Sequence, residues 1–246
     1  MTVSCHICNH PMVYRFDVDI FGLFRCAVCG LECLDPQPDD EKLGAIYDEA
    51  YFLGSGDKTT EKSMDNMKRS TALGYIELLS AYVDIDNPRL IEVGCGGGDF
   101  LATAKKKGYS VAGVEISPTA VGDANRKLGE DVVIQGELSS LDLLPLGKFD
   151  CCVLFDVIEH VRNPVMFLNS IKELLNDDGV CFIVTPSLDS WSAKVLGRHW
   201  MEYKPEHLFY FNKSNIKDLL NKAGLNTIHV SPNWKILTFS YINYHM

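Results

Sequence analysis

The sequence predicts an α/β fold, in which a mostly parallel sheet carries helices on both faces and follows a small N-terminal module. Three observations predict this fold. Strand-like and helix-like apolar segments alternate along residues 57–231, a glycine-rich turn at 94–98 follows the first strand, and two Cys-x-x-Cys pairs stand near the N-terminus. A length of 246 residues, 46% of them hydrophobic and 23% charged, suffices for one large core and a small appended module.

The N-terminal module is predicted from its cysteines. Cys5 and Cys8 form one pair, Cys26 and Cys29 form the other, and the segment between the pairs alternates as a hairpin does. Four thiolates at this spacing are typical of a tetrahedral structural zinc ion, whereas a redox dithiol would need only one pair. The turn residues at 35–40 end the module, so we predict a zinc ribbon over 1–38.

The remaining elements are predicted in order. A connector covers residues 39–87, with Tyr47, Tyr51 and Phe52 as apolar points and a helix at 57–82. The predicted core, residues 88–246, then has strands at 89–94, 110–115, 131–135, 149–155, 180–184 and 225–230, and helices at 97–107 and from Ser117, Asn163 and Asn212. Ser117-Pro118 supplies a helix start, and Gly129, Gly179 and Gly224 supply stops.

Polar residues follow the predicted parallel strands, where ligands of open sheets bind. The first turn has the spacing Glu-x-Gly-x-Gly-x-Gly from Glu92, which differs from the Gly-x-Gly-x-x-Gly of dinucleotide sites because Asp99 stands at the last glycine position. Glu115 ends the second strand, where a carboxylate accepts ribose hydroxyls; the alternative is a solvated acid in a turn. Glu137 follows the third strand, where it could face an adenine edge.

These segments, together with Phe149 to Val161, resemble the class I S-adenosylmethionine-dependent methyltransferases, in the branch of the ubiquinone-pathway O-methyltransferases. The resemblance covers residues 88–231 and implies a Rossmann-like methyltransferase sheet with S-adenosylmethionine as cofactor. It places the methionyl part of the cofactor against the first turn, the ribose at the second strand, the adenine at the third and the sulfonium at the fourth. The residues implied are Glu92, Gly94, Cys95, Gly96 and Gly98; Glu115 and Ile116; Glu137 and Leu138; Asp156 and Val157. Glu137 departs from the aspartate that is more frequent in the family.

A cysteine ribbon before such a core resembles two relatives. The C-methyltransferases of nucleotide-activated deoxysugars carry a zinc module and a Tyr-x-Glu-His-Leu-x-x-Phe segment whose histidine is the base. That resemblance aligns His207 with the base but leaves Tyr203 one residue out of register, and the C-terminal domain of those enzymes is missing. The rRNA guanine-N1 methyltransferases also join a ribbon to a core, but the acidic ribbon and the Asp156 to His160 motif argue against them.

Two histidines are candidates for catalysis. A hydroxyl or carbon acid must lose a proton during methyl transfer, and histidine suits that role near neutral pH. We expect His207 to be the base and retain His160 as a second candidate; the alternative for each is a structural histidine. In the quinone branch a Glu-His pair at Glu159 and His160 can help to hold a divalent cation, but these residues alone do not establish a site.

Charge and composition restrict the partners and the compartment. The net charge of −10 opposes nonspecific binding of nucleic acid, although it does not exclude RNA. No apolar run approaches the ~18 residues of a membrane span, and no export signal precedes the ribbon. Nine cysteines without such a signal favour the reducing cytoplasm. The sequence does not indicate an oligomeric state.

The sequence therefore predicts a cytoplasmic S-adenosylmethionine-dependent methyltransferase with a structural zinc ion and a small-molecule acceptor. We expect the acceptor to be a hydroxyl of a sugar, polyketide or similar metabolite, since the C-terminal domain of the sugar C-methyltransferases is absent. The alternatives are a sugar C-methyltransferase, an rRNA or tRNA methyltransferase with an RNA-recognising ribbon, and a noncatalytic binding module. Only residues 231–246 follow the sixth strand, so we also expect a truncated chain or a missing seventh strand.

Overall fold

The computed structural model describes residues 3–44, 58–138 and 146–232, with side chains described from residue 66 in the first helix. The aromatic points of the connector and the segment 234–246 lie outside these residues. The chain forms two compact units. The ribbon unit contains Met1–Leu53, Asp156–Asn169 and Val184–Pro232, and the sheet unit contains Gly54–Phe155, Ser170–Ile183 and Asn233–Met246.

The ribbon unit is built on a four-stranded antiparallel sheet. Its strands are β1 (Met12–Val18), β2 (Phe21–Cys26), β3 (Glu32–Asp35) and β9 (Phe209–Tyr210), in the order β1-β2-β3-β9. The predicted hairpin is thus present as β1 and β2. The fourth strand comes from far beyond residue 38, and the sequence predicted neither β3 nor β9. The division into 1–38, 39–87 and 88–246 stays a prediction.

Short helices complete the ribbon unit. A 3-10 turn covers Ile158–His160, α4 (Pro164–Leu174) starts in this unit, and α5 (Trp191–Leu196) leads into a second 3-10 turn. The last helix is α6 (Lys213–Lys222), which Asn212 caps as predicted. Asn212 accepts the amide N–H of Asn215, whose side chain in turn accepts the N–H of Asn212, so the helix start is held from both sides.

The central sheet has five strands in the order β6-β5-β4-β7-β8. They are β4 (Arg89–Val93), β5 (Ser110–Glu115), β6 (Val133–Gln135), β7 (Phe149–Phe155) and β8 (Leu175–Val184). β4 pairs in parallel with β5 and β7, and β5 pairs in parallel with β6. These parallel strands direct their carboxyl ends to one edge, which positions the candidate site.

Three further helices belong to the sheet unit: α1 (Lys58–Ser80), α2 (Asp99–Lys106) and α3 (Pro118–Leu128). Ser117 caps α3 through a bond from the Ala120 amide, and Gly129 ends it with a φ of 74°. Both boundaries agree with the prediction. The helices and strands share one buried apolar cluster that includes Leu79, Leu90 and Leu101.

Two predicted elements differ. β8 starts at Leu175, directly after α4, so Gly179 lies inside the strand assignment instead of before it. A β-carbon at Gly179 would lie 2.9 Å from the Asn176 carbonyl oxygen, so the chain there is too tight for a larger residue. The predicted strand at 225–230 is wrong, because this segment has no strand partner among the described residues and leaves Ile228 exposed. None of the helices in the described ranges has the length and apolar character that crossing a bilayer requires.

Candidate active site

The turn after β4 is shaped by glycines in left-handed conformations. Gly94, Gly96 and Gly98 have φ angles of 75°, 50° and 72°. Other residues rarely adopt these angles. The Gly94 N–H donates to the Val114 carbonyl at 2.8 Å, so the turn is fastened to β5. Among the described residues, a β-carbon at Gly96 would meet nothing within 4 Å, so these residues leave the space over the backbone open.

Glu115 links this turn to the end of β5. Its Oε2 accepts the Gly96 N–H at 2.8 Å, and its Oε1 accepts the Ser117 N–H at 3.0 Å. The carboxylate is therefore held in place by two backbone amides, unlike a solvated acid in a turn. A carboxylate oxygen has more than one acceptor site, so Glu115 can still accept hydroxyl groups of a ligand.

Glu92 is a buried carboxyl group on β4 directly before the turn. It is 4% exposed, and its Oε2 has no hydrogen-bond partner among the described residues. Burial, with the nearby charges of Asp99 and Glu115, raises the pKa of Glu92 well above its ordinary value. A cationic ligand beside Glu92 would supply the missing partner. S-adenosylmethionine, with an ammonium and a sulfonium group, fits this requirement.

The other cofactor candidates of the sheet unit lie where their strands end. Ile116 follows β5 and is 53% exposed. Glu137 follows β6 and is exposed, while Leu138 is buried. These three residues stay candidates for the adenosine contact, and the next residues, 139–145, lie outside the described ranges.

Asp156 and Val157 directly follow β7, as predicted. Asp156 has a φ of 52°, which is uncommon for a residue other than glycine. Its N–H donates to the Val184 carbonyl at 2.9 Å, which holds this conformation. An enforced left-handed residue at a strand end is a feature that functional sites often show.

The two candidate histidines face each other. The rings of His160 and His207 meet edge to face, with 4.7 Å between their centroids. His160 Nδ1 donates to the Glu206 carbonyl at 2.9 Å, and His207 Nδ1 donates to the Glu202 carbonyl at 2.8 Å. A carbonyl only accepts, so the neutral form of each ring must carry its proton on Nδ1, which makes Nε2 the basic nitrogen.

Glu159 completes this cluster. One ligand atom each from Glu159, His160 and His207 lies within 4.8 Å of the others. Thr185 donates its hydroxyl to Glu159 Oε2 at 2.9 Å and so orients the carboxylate. Two imidazole nitrogens and a carboxylate are ligands that divalent metals accept, so the cluster could hold a cation as well as act on a proton.

The environment weakens His160 as a base. Burial, with a smaller contribution from Lys204, lowers the pKa of His160 to about 4, although the Glu206 carbonyl and Asp156 oppose the change. The ring is therefore neutral at pH 7 and accepts a proton less readily than an unperturbed histidine. Its partner His207 is 5% exposed.

The four cysteines of the ribbon converge. Cys5 and Cys29 have their sulfurs 3.5 Å apart, as do Cys8 and Cys26, and all four sulfurs lie within 4.8 Å of one another. A tetrahedral zinc ion with Zn–S distances of about 2.3 Å separates its sulfurs by about 3.8 Å, so the arrangement fits zinc. All nine cysteines of the chain, each in a described segment, are free thiols.

Backbone amides favour the thiolate form of one of these cysteines, Cys26, whereas burial raises the pKa of Cys5 and Cys29. Burial tends to raise the pKa of Cys26, but the amides of Cys29 and Val28 and the Cys8 thiol outweigh it and lower the pKa to about 6. A thiolate, which is the form that binds zinc, is therefore present near neutral pH.

Comparison with known proteins decides the family. The profile described as "Methyltransferase domain" matches residues 66–230. The chain belongs to this methyltransferase family. With the parallel sheet and the glycine turn, this makes the chain a class I S-adenosylmethionine-dependent methyltransferase, as the sequence predicted.

Relatives and solved structures agree with this assignment. This methyltransferase is 26% identical over 175 residues to the ubiquinone biosynthesis O-methyltransferase of Cereibacter sphaeroides, covering 67% of this chain and 71% of the relative. It is 25% identical to that of Pelagibacter ubique over 65% of this chain and 74% of the relative. The magnesium protoporphyrin IX methyltransferase of Synechocystis PCC 6803, solved with bound SAH, has a TM-score of 0.57 and 18% identity over 76% of this chain and 90% of its own. The last similarity shows the fold alone.

Several residues around the candidate histidines were not predicted from the sequence. Thr185 and Glu202 orient Glu159 and His207, and Glu32 contacts the segment around His207. Thr185 directly follows β8, so its position at a strand end was a usable signal. Glu202 acts through its backbone carbonyl, which no side-chain pattern reveals.

Proposed function

We propose that this methyltransferase transfers a methyl group from S-adenosylmethionine to a hydroxyl of a small metabolite, such as a sugar or a polyketide. The observation that supports it best is the pair of histidines, each held by a backbone carbonyl so that Nε2 is the basic nitrogen. Relatives named O-methyltransferases favour oxygen as the acceptor atom. We place the reaction in the cytoplasm, where nine free thiols stay reduced.

The donor would be bound by residues at the ends of the parallel strands. When bound, S-adenosylmethionine supplies an electrophilic methyl group. Glu92 would pair with its ammonium group beside the turn of Gly94, Cys95, Gly96 and Gly98. Glu115 and Ile116 would contact the ribose, Glu137 and Leu138 the adenine, and Asp156 and Val157 the sulfonium. Most of the catalytic effect would come from alignment of the acceptor and exclusion of water.

His207 would remove the acceptor proton. Its Nδ1–H bond to the Glu202 carbonyl fixes the ring, so that Nε2 would take the proton of the acceptor hydroxyl. We assign His160 the secondary role of packing against this ring, because a pKa of about 4 makes it a weak base.

The test compares His207→Gln with the parent enzyme. Incubation with methyl-labelled S-adenosylmethionine and a low-molecular-mass cell extract identifies a labelled acceptor. We expect His207→Gln to lower turnover with that acceptor by about 10² to 10⁴-fold. Affinity for S-adenosylhomocysteine, measured by calorimetry, should stay unchanged. Parent-like turnover of a variant that still binds this compound would contradict the base assignment.

A cation at the Glu159, His160 and His207 cluster is the alternative use of the same residues. The two uses respond differently to added metal. If His207 acts as a base, turnover of enzyme treated with EDTA and returned to zinc alone should equal that of enzyme supplied with Mg²⁺ or Mn²⁺. Strict dependence of turnover on either ion would favour the metal.

We also propose that Cys5, Cys8, Cys26 and Cys29 bind one structural zinc ion. Their sulfur spacing supports this, and a closed set of four thiolates leaves no position for a substrate. Atomic spectroscopy of freshly purified enzyme should find about one zinc per chain, and Cys29→Ser should lower that content. If enzyme that contains no zinc had the same melting temperature as zinc-loaded enzyme, the proposal of a structural zinc ion would be contradicted.

A further inference from the structure

Glu32 is a buried acid in a part of the ribbon with no catalytic candidate of its own. It lies on β3, and its side chain is fully buried. Arg15 and Arg25 both contact Oε1, the second at 3.2 Å. Buried acids of this kind are paired, but the second oxygen here is used differently. Oε2 accepts the hydroxyl of Tyr203 at 2.7 Å, 171 residues along the chain.

Tyr203 belongs to the peptide unit that holds His207. The carbonyl of that unit is the Glu202 oxygen, which accepts His207 Nδ1–H at 2.8 Å. The N–H of the same unit belongs to Tyr203 and donates to the Trp200 carbonyl at 3.0 Å. Any rotation of this peptide moves the acceptor of the His207 proton. The peptide is thus held at its N–H and, through the tyrosine side chain, at its α-carbon.

The ring of Tyr203 is restricted by the aromatic residues around it. It packs edge to face against Phe16, Trp200 and Tyr210, with centroid distances of 5.1, 5.3 and 4.9 Å. The hydroxyl is the only polar atom of the ring, and Glu32 fixes it. β3 also pairs with β9, and Leu34 N–H donates to the Leu208 carbonyl at 3.1 Å, which holds the chain just after His207.

We propose that Glu32 is a positioning residue for His207, acting through the Tyr203 hydroxyl and the Glu202–Tyr203 peptide. The arginines keep Glu32 in place, and Glu32 keeps the peptide in the orientation that selects the Nδ1–H form of His207. The ribbon would therefore contribute to acceptor activation in addition to binding zinc. This inference deepens the proposed function and depends on it for its catalytic meaning.

The test observes the histidine itself, in full-length, zinc-loaded enzyme. Long-range ¹H–¹⁵N spectra of ¹⁵N-histidine-labelled protein distinguish the Nδ1–H and Nε2–H forms. We expect parent His207 to show the Nδ1–H form alone. Tyr203→Phe removes one hydroxyl and should shift the ratio of the two forms toward Nε2–H by roughly fivefold. Affinity for S-adenosylhomocysteine should not change.

Three variants serve as controls. Tyr210→Phe removes a matched hydroxyl, which donates to the Lys204 carbonyl at 2.9 Å, and should leave the His207 spectrum as in the parent. Glu32→Leu should reproduce Tyr203→Phe, and combining the two changes should add nothing. Glu32→Gln should keep the parent spectrum, because either orientation of the glutamine amide makes a hydrogen bond with the Tyr203 hydroxyl.

Two results would overturn the inference. One is folded Tyr203→Phe with the parent His207 spectrum, and the other is an equal change in Tyr203→Phe and Tyr210→Phe. Failure of the proposed function is a separate result: His207→Gln would then keep its turnover, whatever the spectra of the Tyr203 and Glu32 variants show.

Discussion

Burial disfavours the charged form of the Glu92 carboxyl group. Its carboxyl is 4% exposed, and one oxygen has no partner within the described part of the chain. The raised pKa means that the folded protein without ligand keeps a proton that the unfolded chain releases as pH rises above 4.5. By linkage, Glu92 lowers the stability of the ligand-free protein progressively above that pH. This cost in stability agrees with the role in cofactor binding that we propose for Glu92.

Glu92→Gln should separate stability from binding. Because the amide has no proton to release, the melting temperature of ligand-free protein should rise at pH 7, and the difference from the parent should shrink toward pH 4. Affinity for S-adenosylmethionine should fall by about 10 to 100-fold, as expected for loss of one charged hydrogen bond. Calorimetry and thermal unfolding measure both effects.

Glu130→Gln is the matched control for that prediction. Glu130 pairs with Lys105 but is about half exposed, so its removal should change neither the affinity nor the melting temperature appreciably. Unchanged cofactor affinity in Glu92→Gln would contradict the role assigned to Glu92.

The N-termini of two helices, α2 and α6, lie at candidate functional sites. α2 starts at the glycine turn, where Gly98 has a φ of 72°, and α6 starts at Asn212, whose side chain also donates to the Cys29 carbonyl at 3.2 Å. The first start brings backbone amides to the candidate cofactor site, and the second fastens a helix to the cysteine cluster. Changes at these positions should therefore have local and distinct effects.

Gly98→Ala should destabilise the sheet unit. The added β-carbon would lie 3.0 Å from Ala124 Cβ, and the left-handed backbone disfavours alanine, so we expect a loss of about 1–3 kcal/mol in the free energy of unfolding. Gly122→Ala lies inside α3, where the added β-carbon would meet no atom of the described segments within 4 Å, and should instead gain about 0.5–1 kcal/mol. Urea unfolding measures both, and a neutral Gly98→Ala would show that the turn tolerates a side chain.

Asn212→Ala tests whether the residue that caps α6 also helps to retain zinc. It removes the cap of α6 and one of the two side-chain hydrogen bonds to the Cys29 carbonyl, the other coming from Asn215, so we expect a loss of about 0.5–2 kcal/mol and faster transfer of zinc to a chelating dye. Ser117→Ala removes the cap of α3, which is in the sheet unit, and should cost similar stability without faster zinc release. Equal release from both variants would contradict the second role of Asn212.

The whole molecule is acidic, with a net charge of −10, and distributes its functions between two units. The candidate residues from Glu92 to Leu138 belong to the sheet unit, whereas Asp156, Val157, the two histidines and the cysteine cluster belong to the ribbon unit. With the zinc ion that we propose, the four thiolates would add roughly two further negative charges to the ribbon unit. Such a charge disfavours a phosphate backbone as partner.

RNA binding should accordingly be weak. A labelled rRNA fragment titrated with the enzyme at physiological ionic strength should show no saturable binding, and any retention at low salt should disappear as salt is added. A basic RNA-binding protein serves as the positive control. Saturable binding that persists at physiological salt would favour the RNA methyltransferase instead.

The sequence by itself determined the α/β class, the order of most elements, the glycine turn and the two Cys-x-x-Cys motifs of the ribbon. These features depend on local periodicity and on short motifs, which a chain carries irrespective of its distant contacts. The boundaries of α3 followed from Ser117 and Gly129 for the same reason.

Only the tertiary structure decided that β9 joins the ribbon sheet, that His160 faces His207, and that Glu32 reaches Tyr203. It also showed that residues 225–230 form no strand within the described ranges, although their apolar residues resemble one. Each of these outcomes depends on which partner lies alongside after folding. A contact between residues as far apart in sequence as Glu32 and Tyr203 produces no local pattern of apolar and polar residues. Such a contact can therefore be seen only in the folded structure.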